Sequence, residues 1–371
     1  MRIEVTGPIP ATPPEKLIVI ANHQCFLDAF LVGTNLPFEL HWIVHTQIAA
    51  QWHFKQFLKL VPHIVVDTTN PLAMKSIVQL IDAGKPVCIF PEGRLTNTGS
   101  LMKVYDGLAF LQSKTGATVV PAIIDGAAHS KVSKMKPPFP IKRRPPVRVT
   151  FFEPMTPPVP VGRTGRERRR DASNNMRRAM EDMWFRAQPV KTLFETFLDT
   201  IDTYGKNAPS VEDIQFQPKS YGDMLKGSLA LGRLVSRLSV EKETVGVLMP
   251  NVAPALMLLY GMFAMRRVPA MINYTSGVDG MQNACFVANI KTIITSRAFL
   301  EKAKLTEKVA QLKNVRVVCL EDLRPQFGFT DKLWLILYAL RWPRSVMIPA
   351  KPEDAAVVLF TSGSEGKPKG V

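Results

Sequence analysis

The sequence predicts two consecutive α/β domains, and three observations carry that expectation. Short apolar runs alternate with amphipathic helical stretches from residue 16 onward. A Pro- and Arg-rich stretch, 136–170, interrupts the alternation, which resumes at 243. At 371 residues the chain is long enough to bury two cores. With 46% apolar and 21% charged residues and no low-complexity tract or short-period repeat, the composition is globular rather than disordered or solenoidal. The boundary is expected at 188/189, giving domains 1–188 and 189–371.

Taken in order, residues 16–22 (KLIVIAN) form a strand that leads into a helix near 24–35. Asn70-Pro71 opens a helix in which Met74, Ile77, Val78 and Ile81 share one face, and Gly84 closes it. A strand at 86–90, a helix through 101–114 and a strand at 117–124 complete a βαβ rhythm. After a helical run, 172–204, the second alternation has strands at 243–250, 268–274, 291–297, 315–320 and 355–360, with a helix at 252–266.

Two stretches raise the question of a membrane. Gly246 to Met265 carries no charge and precedes Arg266-Arg267, so hydropathy alone would mark a span. Pro250, Asn251 and Pro254 fall where a βα turn belongs, and a buried strand, turn and helix is expected instead. Residues 332–342 (KLWLILYALRW) are short for a span; interfacial contact and a buried core helix both fit them.

Asn22-His23-Gln24-Cys25-Phe26-Leu27-Asp28 sets a His and an Asp five apart at a strand–helix junction. Inside one helix that step would rotate the two side chains apart. With His23 just before the helix and Asp28 one turn inside it, Asp28 can hold one imidazole nitrogen while the other takes a proton from a hydroxyl. Read alone, the pattern also fits a capping His and an ordinary exposed Asp. Phe90-Pro91-Glu92-Gly93-Arg94 leaves a strand at the end where α/β folds bind ligands. Arg94 can fork onto a phosphate, and Gly93 lets backbone approach closely; a surface turn with an ion pair fits as well.

Thr361-Ser362-Gly363-Ser364-Glu365-Gly366-Lys367-Pro368-Lys369-Gly370 follows the last strand. Its backbone N–H groups and hydroxyls can wrap phosphate oxygens, but the glycine spacing and Pro368 exclude a Walker A loop.

The formal net charge of +16 is concentrated in 142–178, where Lys142, Arg143, Arg144, Arg148, Arg163, Arg166, Arg168, Arg169, Arg170, Arg177 and Arg178 seek an anionic partner or line a solvated linker. No nucleic-acid module or metal-ligand spacing accompanies them, so neither a nucleic-acid partner nor a metal site is expected. Cys25, Cys88, Cys285 and Cys319 show no CxxC spacing and read as small buried hydrophobes in a reducing compartment. MRIEVTGPIP lacks a secretory signal, so the working face is expected in the cytoplasm.

Asn-His-x4-Asp, then Phe-Pro-Glu-Gly-Arg about seventy residues on, then Val120-Pro121, resembles the glycerolipid acyltransferase family in type, order and distance. The resemblance implies that His23 is the general base on a glycerol hydroxyl, that Asp28 orients it, and that Glu92, Gly93, Arg94 and Pro121 bind the acceptor. One departure stands at 61–71 (VPHIVVDTTNP), where Thr68 or Thr69 replaces an Arg the family uses on glycerol phosphate. A lysophospholipid, whose phosphodiester carries less charge, is therefore the expected acceptor. The Thr361–Gly370 loop resembles that of adenylate-forming enzymes, which implies phosphate binding by Thr361, Ser362, Gly363, Ser364, Gly366 and Lys369.

The two in this order, with 101–107 (LMKVYDG) and 269–278 (PAMINYTSGV), resemble the bifunctional bacterial acyl-[acyl-carrier-protein] synthetase and 2-acylglycerophosphoethanolamine acyltransferase family. That implies a glycerolipid acyltransferase-type α/β domain followed by the N-terminal part of an adenylate-forming α/β domain. It also implies acyl carrier protein as donor, a 2-acyl lysophospholipid as acceptor, and the cytoplasmic face of a bacterial inner membrane with its anionic lipid. Acyl transfer needs no cofactor; the complete ligase uses ATP and Mg²⁺. The later ligase motifs do not follow Val371, so acyl-AMP formation is not expected of this chain, and fewer residues than usual precede Asn22. The motif set also admits lysophosphatidate or glycerol 3-phosphate as acceptor, or a lipid- and carrier-binding fragment without turnover.

Overall fold

Five successive apolar residues, Leu17–Ala21, are all buried, the pattern of a strand covered by helices on both faces. They lie in a computed structural model that describes residues 2–67, 71–105, 107–158, 160–214, 216–362 and 368–371. The chain divides into two compact units, Met1–Pro189 and Val190–Val371.

The first unit runs β1 (Arg2–Thr6), β2 (Leu17–Ala21), α1 (Asp28–Gly33), β3 (His41–His45), α2 (Thr46–Ala49), α3 (Trp52–Leu58), β4 (His63–Val66), α4 (Pro71–Asp82), β5 (Val87–Ile89), α5 (Gly107–Thr115), β6 (Thr118–Asp125), β7 (Pro146–Phe151) and α6 (Gly165–Ala187). The strand order is β1-β7-β6-β2-β5-β3-β4. From β6 to β4 every pair is parallel, and β7 joins β6 antiparallel.

Helices cover the two faces unequally. Leu31 and Val32 of α1 pack with Leu17, Val19 and Ala21, whereas Leu108 and Leu111 of α5 pack with Ile18 and Ile20. The helices following the neighbouring strands β2 and β5 thus leave on opposite faces. A crevice opens at the carboxyl ends of such a strand pair.

Several sequence expectations need correction. The first helix begins at Asp28, not 24, and the helix expected from 101 begins at Gly107. The Pro- and Arg-rich stretch contains a strand, β7, whose Val147, Val149 and Phe151 are buried in alternation. The run 172–204 is two helices; α6 starts at Gly165 under a reciprocal Thr164–Glu167 cap, and α7 starts at Leu193. Pro121 lies inside the sheet, which is unusual for proline. The β6–β7 ladder starts only at Ala122, and the Pro121 carbonyl accepts from Phe152 N, just past the end of β7.

The second unit contains α7 (Leu193–Tyr204), β8 (Pro209–Val211), β9 (Lys219–Ser220), α8 (Tyr221–Val235), β10 (Thr244–Leu248), α9 (Ala253–Ala264), β11 (Val268–Met271), α10 (Gly277–Val287), β12 (Thr292–Thr295), α11 (Arg297–Lys302), α12 (Thr306–Ala310), β13 (Arg316–Cys319), α13 (Leu320–Leu323), α14 (Phe329–Leu333), a π-helical stretch Trp334–Ala339, α15 (Pro343–Val346), β14 (Val358–Ser362) and β15 (Pro368–Gly370). Its main sheet, β13-β12-β10-β11-β14-β15, is parallel except for the last strand.

The uncharged run 246–265 is strand, turn and helix, as its prolines predict. The helix is apolar almost all round because it is enclosed: a Cβ added at Gly261 would meet the Ser228 carbonyl of α8, and one at Gly232 would meet the Gly261 carbonyl. Among the described residues no helix is long and apolar enough to cross a membrane.

Candidate active site

Because β2 and β5 are adjacent, the residues that leave their carboxyl ends meet, although about seventy positions separate them. Asn22 fixes the exit of β2. Its side-chain amide donates to the Ile124 carbonyl at 2.8 Å, and its side-chain oxygen accepts from Ile124 N at 2.6 Å, tying β2 to β6. The chain then turns, and Asp28 becomes the first residue of α1 rather than lying a turn inside it.

That geometry closes the dyad. His23 Nδ1 lies 2.8 Å from Asp28 Oδ2, so the imidazole donates there and presents Nε2 as the basic nitrogen. Among the described residues Nε2 has no hydrogen-bond partner. Asp28 is fully buried, and its carboxylate also accepts from Gln24 N, from Cys25 N at 2.8 Å and from the Cys25 thiol at 3.3 Å. These donors hold the carboxylate in one orientation, and the His23 ring stacks on Phe90 with centroids 4.1 Å apart. Burial, with the Asp28 charge second, pushes the Cys25 thiol up to about 12, which keeps it a donor.

Glu92 lies behind the histidine rather than in front of it. It is 1% exposed; one oxygen accepts from His23 N at 2.7 Å and the other from Met102 N at 2.6 Å. Burial raises its carboxyl above the ordinary range against the lowering pull of those two amides. Thr96 N donates to the His23 carbonyl at 2.8 Å, so the 92–96 loop holds both backbone groups of His23.

Gly93 is exposed with a φ of 62° and makes the turn that sets Arg94 at the surface. Among the described residues Arg94 has no acidic partner. Pro121 is buried in β6 beside Ile20, one strand from the dyad. Thr68 and Thr69 lie outside the described residues.

Sequence reasoning gave no part in the site to Asn22, Cys25, Phe90, Thr96 or Met102. The first four sit inside or beside the two motifs, where adjacency was the available signal. Met102 contributes a backbone N–H, which no side-chain pattern announces.

In the second unit β14 runs through Thr361 and Ser362, so these two residues are strand rather than loop. Thr361 pairs with Lys369 of β15. Gly363, Ser364 and Gly366 lie outside the described residues. Of the cysteines, Cys25, Cys88 and Cys285 are buried as expected, but Cys319 is only partly so.

Comparison with known proteins agrees with this two-part architecture. The Acyltransferase family model matches residues 2–125, and the AMP-binding enzyme model matches residues 199–371. A 1-acyl-sn-glycerol-3-phosphate acyltransferase of Cocos nucifera is 29% identical over 146 residues, covering 38% of this chain and 46% of its own. Acetyl-coenzyme A synthetase 1 of Debaryomyces hansenii is 28% identical over 165 residues, 41% of this chain and 25% of its own. The chain thus spans less than half the length of either relative. The inhibitor-bound N-terminal domain of FACL13 from Mycobacterium tuberculosis is 19% identical with a TM-score of 0.40, covering 49% of this chain and 44% of that one. The chain combines a unit matched by the Acyltransferase model with a unit matched by the AMP-binding enzyme model. It carries an acyltransferase domain followed by an AMP-binding domain.

Proposed function

We propose that the first unit moves a fatty acyl group from acyl carrier protein to the sn-1 hydroxyl of a 2-acyl lysophospholipid, 2-acylglycerophosphoethanolamine, at the cytoplasmic face of a bacterial inner membrane. The observation that carries this reading is the His23 Nδ1–Asp28 Oδ2 pair at 2.8 Å, with the imidazole stacked at the mouth of β2 and β5. Nε2 takes the proton of the acceptor hydroxyl as its oxygen attacks the acyl carbonyl. The C–S bond of the thioester then breaks, and the proton passes from the imidazolium to the leaving thiolate. Asp28 steadies the positive charge on the ring between the two transfers.

The remaining groups suit the two substrates. Arg94, exposed beyond Gly93, supplies a fork for the acceptor phosphate. Arg166, Arg169, Arg170 and Arg178 are exposed on α6 and suit an acidic carrier protein.

In the second unit Lys369 and Thr361, at paired positions, offer a cation and a hydroxyl to a nucleotide phosphate. When bound, ATP with Mg²⁺ would supply the activation that a complete ligase needs to load the carrier.

A second acceptor, 1-acyl-glycerol 3-phosphate, is favoured by the name of the Cocos nucifera relative. Transfer of labelled acyl groups from acyl carrier protein to lysophosphatidylethanolamine and to lysophosphatidate, measured side by side, separates the two. His23→Ala should lose transfer by about a thousandfold with the fold retained. Undiminished transfer in that variant would overturn the assignment.

A further inference from the structure

Residues 329–339 form a helix, and with the turn to Trp342 they present one face to the core and leave the other bare. On the inner face Asp331 accepts from Arg233 Nε of α8 at 2.6 Å and from Arg237, in the turn after α8, at 2.5 Å. The Arg233 guanidinium lies 4.2 Å from the Trp334 ring centroid, and Leu335 and Ala339 are buried in the core. On the outer face Ile336 and Leu337 are each 62% exposed, and Phe329, Leu333, Tyr338 and Trp342 are exposed beside them. The π-helical stretch explains the width of this face. Its wider turn lets three consecutive residues, Ile336 to Tyr338, open outward between buried Leu335 and buried Ala339. Single exposed apolar side chains are ordinary; six in fourteen residues make a patch that needs a partner.

Charge points to the kind of partner. From 324 to 344 the chain carries Arg324, Lys332, Arg341 and Arg344 against one acid, Asp331. That acid is turned inward, and Arg344 is engaged by Asp199 and Asp202 of α7. Lys332 and Arg341 are left exposed at the margin of the apolar face, with Arg341 5.4 Å from the Trp342 ring. An apolar centre rimmed by Trp, Tyr and cations matches the headgroup boundary of an anionic bilayer, where aromatic rings straddle polar and apolar layers and cations meet lipid phosphates.

We infer that this face of the adenylate-forming unit seats on an anionic phospholipid surface, with Ile336, Leu337 and Trp342 entering the headgroup–acyl boundary. The inference uses no residue of the acyltransferase unit, and its test contains no acyl donor, so it stands or falls separately from acyl transfer.

The full chain is sedimented with vesicles of phosphatidylethanolamine and phosphatidylglycerol, or of phosphatidylcholine alone. Wild type should favour the anionic vesicles. Ile336→Ser with Leu337→Ser should raise the lipid needed for half-binding about tenfold while keeping the wild-type circular dichroism and urea midpoint. Lys332→Gln with Arg341→Gln should weaken the preference for phosphatidylglycerol. Brominated acyl chains should quench wild-type tryptophan fluorescence, and Trp342→Phe should remove most of that quenching, a readout independent of how the serine variant folds. Unchanged binding by the serine variant, or no binding by wild type, would overturn the inference. So would self-association of wild type, lost in the serine variant without any vesicle binding, because the occupant would then be a second copy.

Discussion

Glu92 is the residue whose motif position and geometry diverge most informatively. The family resemblance assigns it to the acceptor, yet both its oxygens are engaged by the backbone of His23 and Met102. A side chain so held acts by fixing where the imidazole stands. Glutamine has one acceptor oxygen for two N–H groups, so Glu92→Gln turns an amide donor against a buried donor, costing about 1–3 kcal/mol of stability. The transfer rate should fall with it, through kcat more than KM.

The pH dependence of stability follows from the raised carboxyl of Glu92. Between its unfolded value, 4.5, and its higher folded value, the folded chain binds more protons than the unfolded one. This group's contribution to stability therefore declines as pH rises through that window and levels off above it. Urea midpoints at successive pH values should show wild type losing ground to the variant across the window; a constant gap would contradict the argument. The dyad itself was legible because His23 and Asp28 announce chemistry as side chains. The bracing was not, because it runs through backbone groups that only the β2–β5 neighbourhood brings together.

At the scale of elements, the legible parts were those whose apolar pattern has a period. The strands at 17–21, 118–125 and 244–248 and the α4 face of Ile77 and Ile81 fall where the sequence predicts them. β7 was hidden because prolines and arginines flank it, although its own residues alternate. The start of α1 was misread because Asp28 satisfies the chain before the helix rather than the turn within it. Close approach of helices was equally invisible, since glycine has no pattern of its own. Gly261 of α9 meets α8 backbone with no room for a side chain. Gly261→Val should destabilise the second unit by about 3 kcal/mol through overpacking. Thermal unfolding followed by circular dichroism should show the loss, whereas a valine at exposed Gly328, where a Cβ meets nothing, should not produce it.

At the scale of the whole molecule, every group the proposed transfer uses lies before Pro189: the dyad, its Glu92 and Thr96 braces, Arg94 and the arginines of α6. The chain between α6 and α7 is exposed at Pro189, Val190 and Lys191. Exposed connections between compact units are where proteases cut and where separate folding is expected. Residues 1–189 made alone should therefore fold with a cooperative transition of their own. They should retain acyl transfer within about threefold of the full chain in detergent, where membrane docking by the second unit no longer counts. In the presence of anionic vesicles the fragment should fall behind, because it lacks the apolar face at 329–342. A fragment that folds cooperatively yet transfers nothing in detergent would overturn the assignment of the whole transfer machinery to residues before Pro189.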